Sequence, residues 1–277
     1  MTMKHRPVMV SKLIQYLGPK KNQNFIDATV GLAGHAKIIL PLTLPRGRIF
    51  GLDQDQRVIS YLKKEKIKNL VVTFGNFKHL QVLVKKAKFS EVSGIYFDLG
   101  LGSWQIDNAK YGLSFQKEGI LPKEIHEAVN FWPEDKLTEV LRYYGNVFRP
   151  NQIAKKIIYA RKNQKISTTK ELVEVIKIKN PHNLAKVFQA LRIVARNELD
   201  NLQKALPQTI ELLKQKGKIV VISYHSGEDR IVKEFFRQQM RQGKLKILTK
   251  KPVIAQIGEI RENPRARSAK LRAAEKS

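Results

Sequence analysis

Short apolar runs alternate with helical stretches over the first hundred residues of this chain. The runs are predicted to be buried parallel strands, because strands covered on both faces read as continuous apolar segments. They lie at residues 24–28, 47–52, 70–74 and 94–99, and a fifth lies at 218–224. Helical stretches such as 35–40 and 55–65 separate the early strands. This alternation predicts a doubly wound α/β sheet.

The strand pattern stops after about residue 106, and helical patterns replace it. Helices are predicted at residues 133–144, 151–163 and 168–177, followed by a long one from residue 183. Because strand texture resumes only at 218, we predict a discontinuous α/β domain, residues 1–106 and 196–277. An inserted all-helical subdomain occupies residues 107–195.

Two local signals refine the helical part. Thr168, with Glu171 three residues later, has the form of a capping box before an apolar run. Pro207 is expected to kink or break the long helix near its middle, because proline lacks the backbone donor that a helix interior needs.

Charge indicates what the insert contacts. The chain has 52 Lys and Arg against 24 Asp and Glu, a net charge of +28. Residues 136–196 hold fourteen basic residues against Glu139, Glu171 and Glu174. A second basic patch is predicted in the tail, at Arg265, Arg267, Lys270 and Arg272. Such an excess favours a polyanionic partner, whose counterions are released on binding. A merely solvated lysine-rich surface is the alternative.

Several classes of function are disfavoured. The chain has no cysteine, which excludes disulfides, thiolate metal sites and thiol catalysis. Its six histidines show no metal-ligand spacing, so no metal is predicted. His225-Ser226 lacks the elbow motif of serine hydrolases. Without a signal peptide or an apolar run of about 20 residues, the chain is expected to be a cytoplasmic protein with no membrane partner.

A cofactor site is indicated where the first two strands end. Asp27 closes the first strand, a small-residue turn with Gly31 and Gly34 follows, and a helix opens at His35. Asp53 closes the second strand about 20 residues beyond the turn, as in nucleotide-type cofactor sites. The turn is neither a dinucleotide fingerprint nor a P-loop. Paired acids suit a cofactor with cationic groups, and S-adenosylmethionine, with its ammonium and sulfonium, fits that description.

Other candidates follow later strands. Asp98 ends the fourth strand, where the transferred group would lie, and Phe77 follows the third strand, where a ring could pack against adenine. Gln105 and Asp107 stand in a loop without obvious structural duty. Each has a plainer interpretation: a strand-end aspartate can cap a helix or a turn, and an aromatic residue there can be ordinary core.

The motifs together resemble one family, the bacterial ribosomal RNA small subunit methyltransferase H family. The resemblance covers nearly the whole chain. The matching segments are His5-Arg-Pro-Val8, Asp27-Ala-Thr-Val-Gly-Leu-Ala-Gly-His35, Gly51-Leu-Asp53, Asp98-Leu-Gly-Leu-Gly-Ser103 with Gln105 and Asp107, Gly112-Leu-Ser-Phe115, Phe188-Gln-Ala-Leu-Arg-Ile193, Ile222-Ser-Tyr-His-Ser226, Glu228-Asp-Arg-Ile-Val-Lys233 and Asn263-Pro-Arg-Ala-Arg-Ser-Ala-Lys-Leu-Arg272. Where the family turn is usually richer in glycine this chain has Leu32 and Ala33, and we expect the φ of Ala33 to be negative.

The resemblance implies a Rossmann-like class I methyltransferase sheet and methylation of the exocyclic N(4) of a cytidine in the decoding centre of 16S rRNA. It implies S-adenosylmethionine as the cofactor, 16S rRNA or the small ribosomal subunit as the partner, and RNA recognition by the helical insert. Whether the protein forms a homodimer is left undecided by the sequence. The implied cofactor-binding residues are Ala33, Gly34, His35, Asp53, Phe77, Asp98 and Gln105, and Asp98 is also the catalytic candidate.

Two alternatives to this activity remain. One is methylation of another nucleic-acid amine, because residues 121–126 depart from the family's pattern at a stretch expected to border the acceptor pocket. The other is a ribosome-assembly protein that binds RNA and cofactor without transferring methyl.

Overall fold

A computed structural model describes residues 6–100, 112, 115, 117–195 and 197–277. The chain divides into two compact units. The first, called here the α/β unit, comprises Met1–Gly100 and Asp200–Ser277, and the second, the helical unit, comprises Leu101–Leu199. Among the described residues, no helix combines the length and the apolar character needed to cross a bilayer.

The α/β unit is built on one twisted sheet. Its strands are β1 (Asn24–Asp27), β2 (Ile49–Asp53), β3 (Leu70–Phe74), β4 (Val92–Asp98), β5 (Leu213–Ser223), β6 (Leu245–Ile247), β7 (Val253–Ile254) and β8 (Lys270–Lys276). Their order is β3-β2-β1-β4-β5-β8-β6, and β7 pairs with β8. The first five are parallel, whereas β8 runs antiparallel to its neighbours. The predicted Rossmann-like class I sheet is confirmed.

Twelve α-helices lie in the described part of the chain. They are α1 (Val10–Leu17), α2 (Gly34–Thr43), α3 (Gln56–Glu65), α4 (Leu80–Lys86), α5 (Lys123–Phe131), α6 (Glu134–Tyr143), α7 (Pro150–Asn163), α8 (Thr169–Ile176), α9 (Pro181–Ala195), α10 (Glu198–Leu212), α11 (Ser226–Arg241) and α12 (Ile257–Glu262). The described residues also form two 3-10 helices, Phe77–His79 and Pro264–Ser268.

The core of the α/β unit explains the apolar strand pattern. Ile26, Phe50 and Ile95, from three neighbouring strands, are fully buried and belong to the same hydrophobic cluster. Leu202 and Leu206 of α10 pack into that cluster as well. Strands with covered faces need apolar residues along their length, which is why the pattern was visible in the sequence.

The helical unit has its own core. It is formed by α5 to α9, and Leu121 and Ile125 are buried in it, which places part of the divergent segment 121–126 in a structural role. The predicted capping box of α8 is confirmed. The Thr168 side chain accepts from the Glu171 backbone, and the Glu171 carboxylate accepts from the Thr168 backbone.

The break predicted at Pro207 does not occur. The proline lies inside α10, and the long helical pattern is instead divided before it, near Asn197, whose φ is +50°. Leu202, Leu206 and Ile210 of α10 are buried in the core. Tertiary packing of this apolar face offsets the loss of one backbone donor, so the helix continues through the proline.

The predicted basic tail is also corrected in part. Residues Lys270–Lys276 form β8, which lies between β5 and β6 in the sheet. Arg272 is buried and binds Asp229 through two contacts, of 2.6 Å and 3.0 Å. Because two guanidinium nitrogens of Arg272 donate to Asp229 within the fold, Arg272 stabilises the sheet and is not part of a nucleic-acid surface. Arg265 and Arg267 remain exposed on a 3-10 helix.

Candidate active site

Three aspartates end neighbouring parallel strands. Asp27 ends β1, Asp53 ends β2 and Asp98 ends β4, and β1 lies between the other two. Asp27 is in register with Gly51 of β2 and Tyr96 of β4. The chain order changes direction between β1 and β4, and ligands of open α/β sheets bind at the carboxyl edge at such a point.

Asp98 is held from several sides. The Tyr224 hydroxyl donates to its Oδ1 at 2.6 Å, and His35 Nδ1 lies 3.6 Å from its Oδ2. Its backbone N–H donates to the Thr29 hydroxyl at 2.7 Å. Burial, and next the Asp98 charge, raise the pKa of Tyr224 well above its usual value, so this hydroxyl keeps its proton and acts as a donor. The carboxylate is therefore oriented before any ligand binds.

His35 connects Asp98 to the amino-terminal segment. Its ring is buried, and Nε2 donates to the Val8 carbonyl at 2.8 Å. The preceding residue, Gly34, allows this segment to approach, because a Cβ there would lie 3.3 Å from Pro7. The Val8 carbonyl thus fixes the His35 ring, and Nδ1 borders the Asp98 carboxylate at a distance beyond that of a hydrogen bond.

Asp27 lies at the same edge of the sheet as Asp98 but is buried. Only 2% of the residue is exposed, and its Oδ1 accepts from the Thr29 backbone at 3.1 Å. Burial raises the pKa of the Asp27 carboxyl to about 7; the neighbouring His35 and the hydrogen bonds lower this pKa, and Asp98 raises it. The charge of Asp27 therefore changes near neutral pH.

Asp53 fixes the turn after β1. Its Oδ2 accepts from the Gly31 backbone at 3.1 Å and its Oδ1 from the Asp55 backbone at 2.9 Å. Gly31 has a φ of +48°, a conformation that glycine adopts without penalty. One carboxylate at the end of β2 thus connects the two turns that follow β1 and β2.

The expectation that Ala33 has a negative φ is wrong. Its φ is +61°, and it precedes α2 as the N-cap residue. The reason is the tightness of the turn, in which the Ala33 N–H donates to the Val30 carbonyl at 2.7 Å. Alanine has no side chain that can cap a helix, so the first N–H groups of α2 keep their hydrogen-bonding capacity for another partner.

Phe77 opens the 3-10 helix after β3. It is partly buried against the core of the α/β unit, and its ring meets that of Phe97 edge-on at 5.9 Å. The structure therefore gives this ring a packing role beside β4. Gln105 and Asp107 lie outside the described residues.

Three partners of Asp98, Asp27 and His35 were missed in the sequence. Tyr224, Thr29 and Val8 were not singled out, although Tyr224 directly follows β5 and so lies at the same edge as Asp98. Its position after a strand was the available signal. The neighbouring His225 is the N-cap residue of α11 and forms a capping box with Glu228, which gives it a structural role.

Comparisons with known proteins cover both units. A model of the MraW methylase family matches residues 2–277. Ribosomal RNA small subunit methyltransferase H of Halothermothrix orenii is 36% identical, over 99% of this chain and 99% of its own length. The protein of that name from Natranaerobius thermophilus is 38% identical, over 100% of this chain and 98% of its own length. Among solved structures, an rRNA methylase from Streptococcus thermophilus aligns with 100% of this chain and 99% of that chain, at 11% identity and a TM-score of 0.45.

Proposed function

The chain belongs to the MraW methylase family, and we propose that it methylates the exocyclic N(4) of a cytidine in the decoding centre of 16S rRNA. Its cofactor is S-adenosylmethionine. Relatives of similar length carry the name of a small-subunit rRNA methyltransferase, and the net charge of +28 suits a polyanionic substrate. The observation that carries the proposal is the oriented Asp98 carboxylate at the sheet edge beside Asp27.

The residues at this edge fit the cofactor. The uncapped start of α2, at Ala33, Gly34 and His35, offers backbone donors and the positive end of a helix dipole to the cofactor's carboxylate. The Asp53 carboxylate suits the ribose hydroxyls, as acids at the end of a second strand do in nucleotide sites. The remaining contacts in this proposal are Phe77 on the adenine, with Asp98 and Gln105 near the methyl group.

When bound, S-adenosylmethionine supplies a methyl group from its sulfonium sulfur, which is left as a neutral thioether. The cytosine amine is a poor nucleophile, because its lone pair is delocalised into the ring. Asp98 accepts a hydrogen bond from this amine and takes up its proton as the new N–C bond forms. Tyr224 holds the carboxylate in place for that step, and the buried His35 ring lies beside it. Orientation of such a pair supplies on the order of 7–11 kcal/mol.

RNA recognition belongs to the helical unit in this proposal. Its stretch 136–196 carries fourteen basic residues and three acids. Lys136, Arg142, Lys155 and Lys162 are exposed, as charges that contact phosphates must be. A target base inside a stem would have to leave its stack before it reached Asp98.

The test is methyl transfer to small ribosomal subunits that lack the modification. Purified protein is incubated with radiolabelled S-adenosylmethionine and subunits from a strain without the enzyme, and the labelled nucleotide is mapped by mass spectrometry. The expected product is N(4)-methylcytidine at one position of the decoding centre.

Other outcomes select the alternatives. Label on a different amine would show that the protein methylates another nucleic-acid target by the same reaction. Calorimetric binding of S-adenosylmethionine without any incorporation would identify an assembly protein that no longer transfers methyl. Failure to bind the cofactor at all would contradict the site as well as the activity.

A further inference from the structure

We propose that a cleft between α7 and α8 of the helical unit binds an unpaired RNA nucleotide. The cleft has a volume of about 540 Å³, within the range of about 300–1,000 Å³ that small-molecule sites occupy. Its lining includes an aromatic ring, two side-chain amides and several charged side chains from the two helices and the segment between them. This inference rests on the proposed function for the identity of the polymer.

One face of α7 supplies a stacking surface. Lys156, Tyr159 and Asn163 recur at three- and four-residue spacing, so they share the face that lines the cleft. Tyr159 is 72% exposed, so its ring is accessible to a ligand. Stacking of unpaired bases on aromatic rings is the general way in which proteins hold single-stranded RNA.

Beside the ring are groups that can recognise a base edge. Asn163 and Gln164 follow one another at the end of α7, and both line the cleft. Each amide offers donors and an acceptor, as the Watson–Crick edge of a base does. An aromatic ring with two adjacent amides matches a nucleobase better than it matches a phosphate or an acidic peptide alone.

The cleft is lined by three lysines and two glutamates, Glu171 and Glu174, which leaves a small positive excess for a phosphate. Lys165 and Lys177 are exposed and line the cleft. Lys156 has a structural contact, because its Nζ donates to the Ile176 carbonyl at the end of α8 at 2.9 Å. Glu171 is engaged locally as well, since its Oε2 accepts from the Ser167 and Thr168 backbones at 2.6 Å and 3.2 Å. Lys165 and Lys177 are therefore the phosphate contacts.

A second exposed aromatic residue lies beside one of these lysines. The Lys165 Nζ lies 5.7 Å from the centroid of the Phe131 ring, and Phe131 is 61% exposed. Lys165 therefore has an exposed aromatic ring beside it as well as the cleft that it lines.

The deciding experiment compares two exposed tyrosines of the helical unit. Tyr159→Ala removes the stacking ring from the cleft, whereas Tyr143→Ala removes a ring that is 71% exposed on α6 and does not line it. Binding of a fluorescein-labelled single-stranded oligoribonucleotide and the KM for small subunits are measured for each. Tyr159→Ala is expected to weaken both about tenfold, with kcat and cofactor affinity unchanged. Tyr143→Ala stays within about twofold, and Tyr159→Phe, which keeps the ring, behaves like the unaltered protein.

A charge test accompanies it. Loss of Lys165 and Lys177 together should lower the slope of log affinity against log salt by about 1 to 2, because up to two phosphate contacts disappear. Lys170→Ala, an exposed lysine of α8 outside the lining, should change the slope by less than about half a unit.

Several results would overturn the proposal. They are unchanged RNA affinity in Tyr159→Ala, equal losses in the Tyr159 and Tyr143 variants, and displacement of RNA from the cleft by an acidic peptide but not by unlabelled RNA. These outcomes are separable from failure of the proposed function. An unaltered protein that modifies no cytidine would refute the reaction, whereas the oligonucleotide measurement would still report on the cleft.

Discussion

The two units treat charge in opposite ways. In the α/β unit, Asp27 and Asp98 are largely withdrawn from solvent. Asp98 accepts a hydrogen bond from the Tyr224 hydroxyl, and Asp27 accepts one from the Thr29 backbone. In the helical unit, most of the fourteen basic residues of 136–196 are exposed. The difference indicates a division of labour, in which fixed groups orient a reaction and solvated groups supply affinity.

The energetic reason lies in desolvation. A buried charge is costly unless it is paired or hydrogen-bonded. The buried carboxylates of the α/β unit therefore accept hydrogen bonds, and these bonds fix their orientation. An exposed lysine costs little to keep and gains its energy only when a phosphate displaces counterions. Changes in the α/β unit should therefore alter kcat, and changes in the helical unit should alter the KM for RNA.

Asp98→Asn is the strongest test of this contrast. The amide keeps the size of the side chain but cannot take up a proton, so kcat is expected to fall by about 10²–10⁴, the usual contribution of a proton acceptor. The KM for small subunits should stay within about threefold, because no interaction with RNA in the helical unit changes. Steady-state methyl transfer measures both quantities.

A graded control is Tyr224→Phe, which removes the 2.6 Å hydrogen bond to Asp98 without touching the carboxylate. Hydrogen bonds to charged groups contribute about 1.5–3 kcal/mol, so kcat should fall about 10- to 100-fold. A larger loss in the tyrosine variant than in Asp98→Asn would show that Tyr224, and not the carboxylate, is the principal group. Cofactor binding by calorimetry verifies that both variants keep the site.

Asp27 gives the next effect, a dependence of stability on pH. Its pKa of about 7 in the folded state lies above the value of about 3.9 in an unfolded chain. Stability from this group is therefore fully present below about pH 4 and is lost as the pH rises through about 7. Between about pH 5 and pH 9 the free energy of unfolding should fall by about 2–3 kcal/mol. Urea unfolding at both pH values measures it.

The matched variant is Asp27→Asn, which keeps an oxygen for the Thr29 N–H but does not titrate. Relative to this variant, the unaltered protein should become less stable as the pH rises. Parallel curves for the two proteins would refute a raised pKa at Asp27.

The strands of the parallel sheet could be predicted from the sequence for a physical reason. The parallel strands are buried on both faces, so their apolar runs stand out, and β3 was predicted at its observed bounds, Leu70–Phe74. The end of such a run also marks the sheet edge, which is why the positions of Asp27, Asp53 and Asp98 could be predicted. Their roles in binding and transfer remain predictions.

What escaped prediction depends on distant contacts. β8 buries Leu271, Ala273 and Ala274 between charged residues, so it has no apolar run to reveal it. Tyr224 meets Asp98 across 126 positions of sequence, and no local pattern reports such a pair. The left-handed Ala33 was missed because the tightness of its turn is set by the Val30 carbonyl, which the residue types alone do not specify.

Ala33→Gly is the smallest expected effect and tests how rigid the turn at the α/β site is. Glycine would relieve the strain of a φ of +61°, a gain of about 1–2 kcal/mol. It would also raise the conformational entropy of the unfolded chain, which lowers stability by about 0.4–1 kcal/mol. Loss of a fully buried methyl group lowers stability by about a further 0.8 kcal/mol. These contributions nearly cancel, so the free energy of unfolding should change by less than about 1 kcal/mol. Gly31→Ala, in the same turn, adds strain without relief and should destabilise by about 1–2 kcal/mol. If Ala33→Gly were instead the more destabilising of the two in urea unfolding, packing of the Ala33 methyl group, and not backbone conformation, would determine the geometry of this turn.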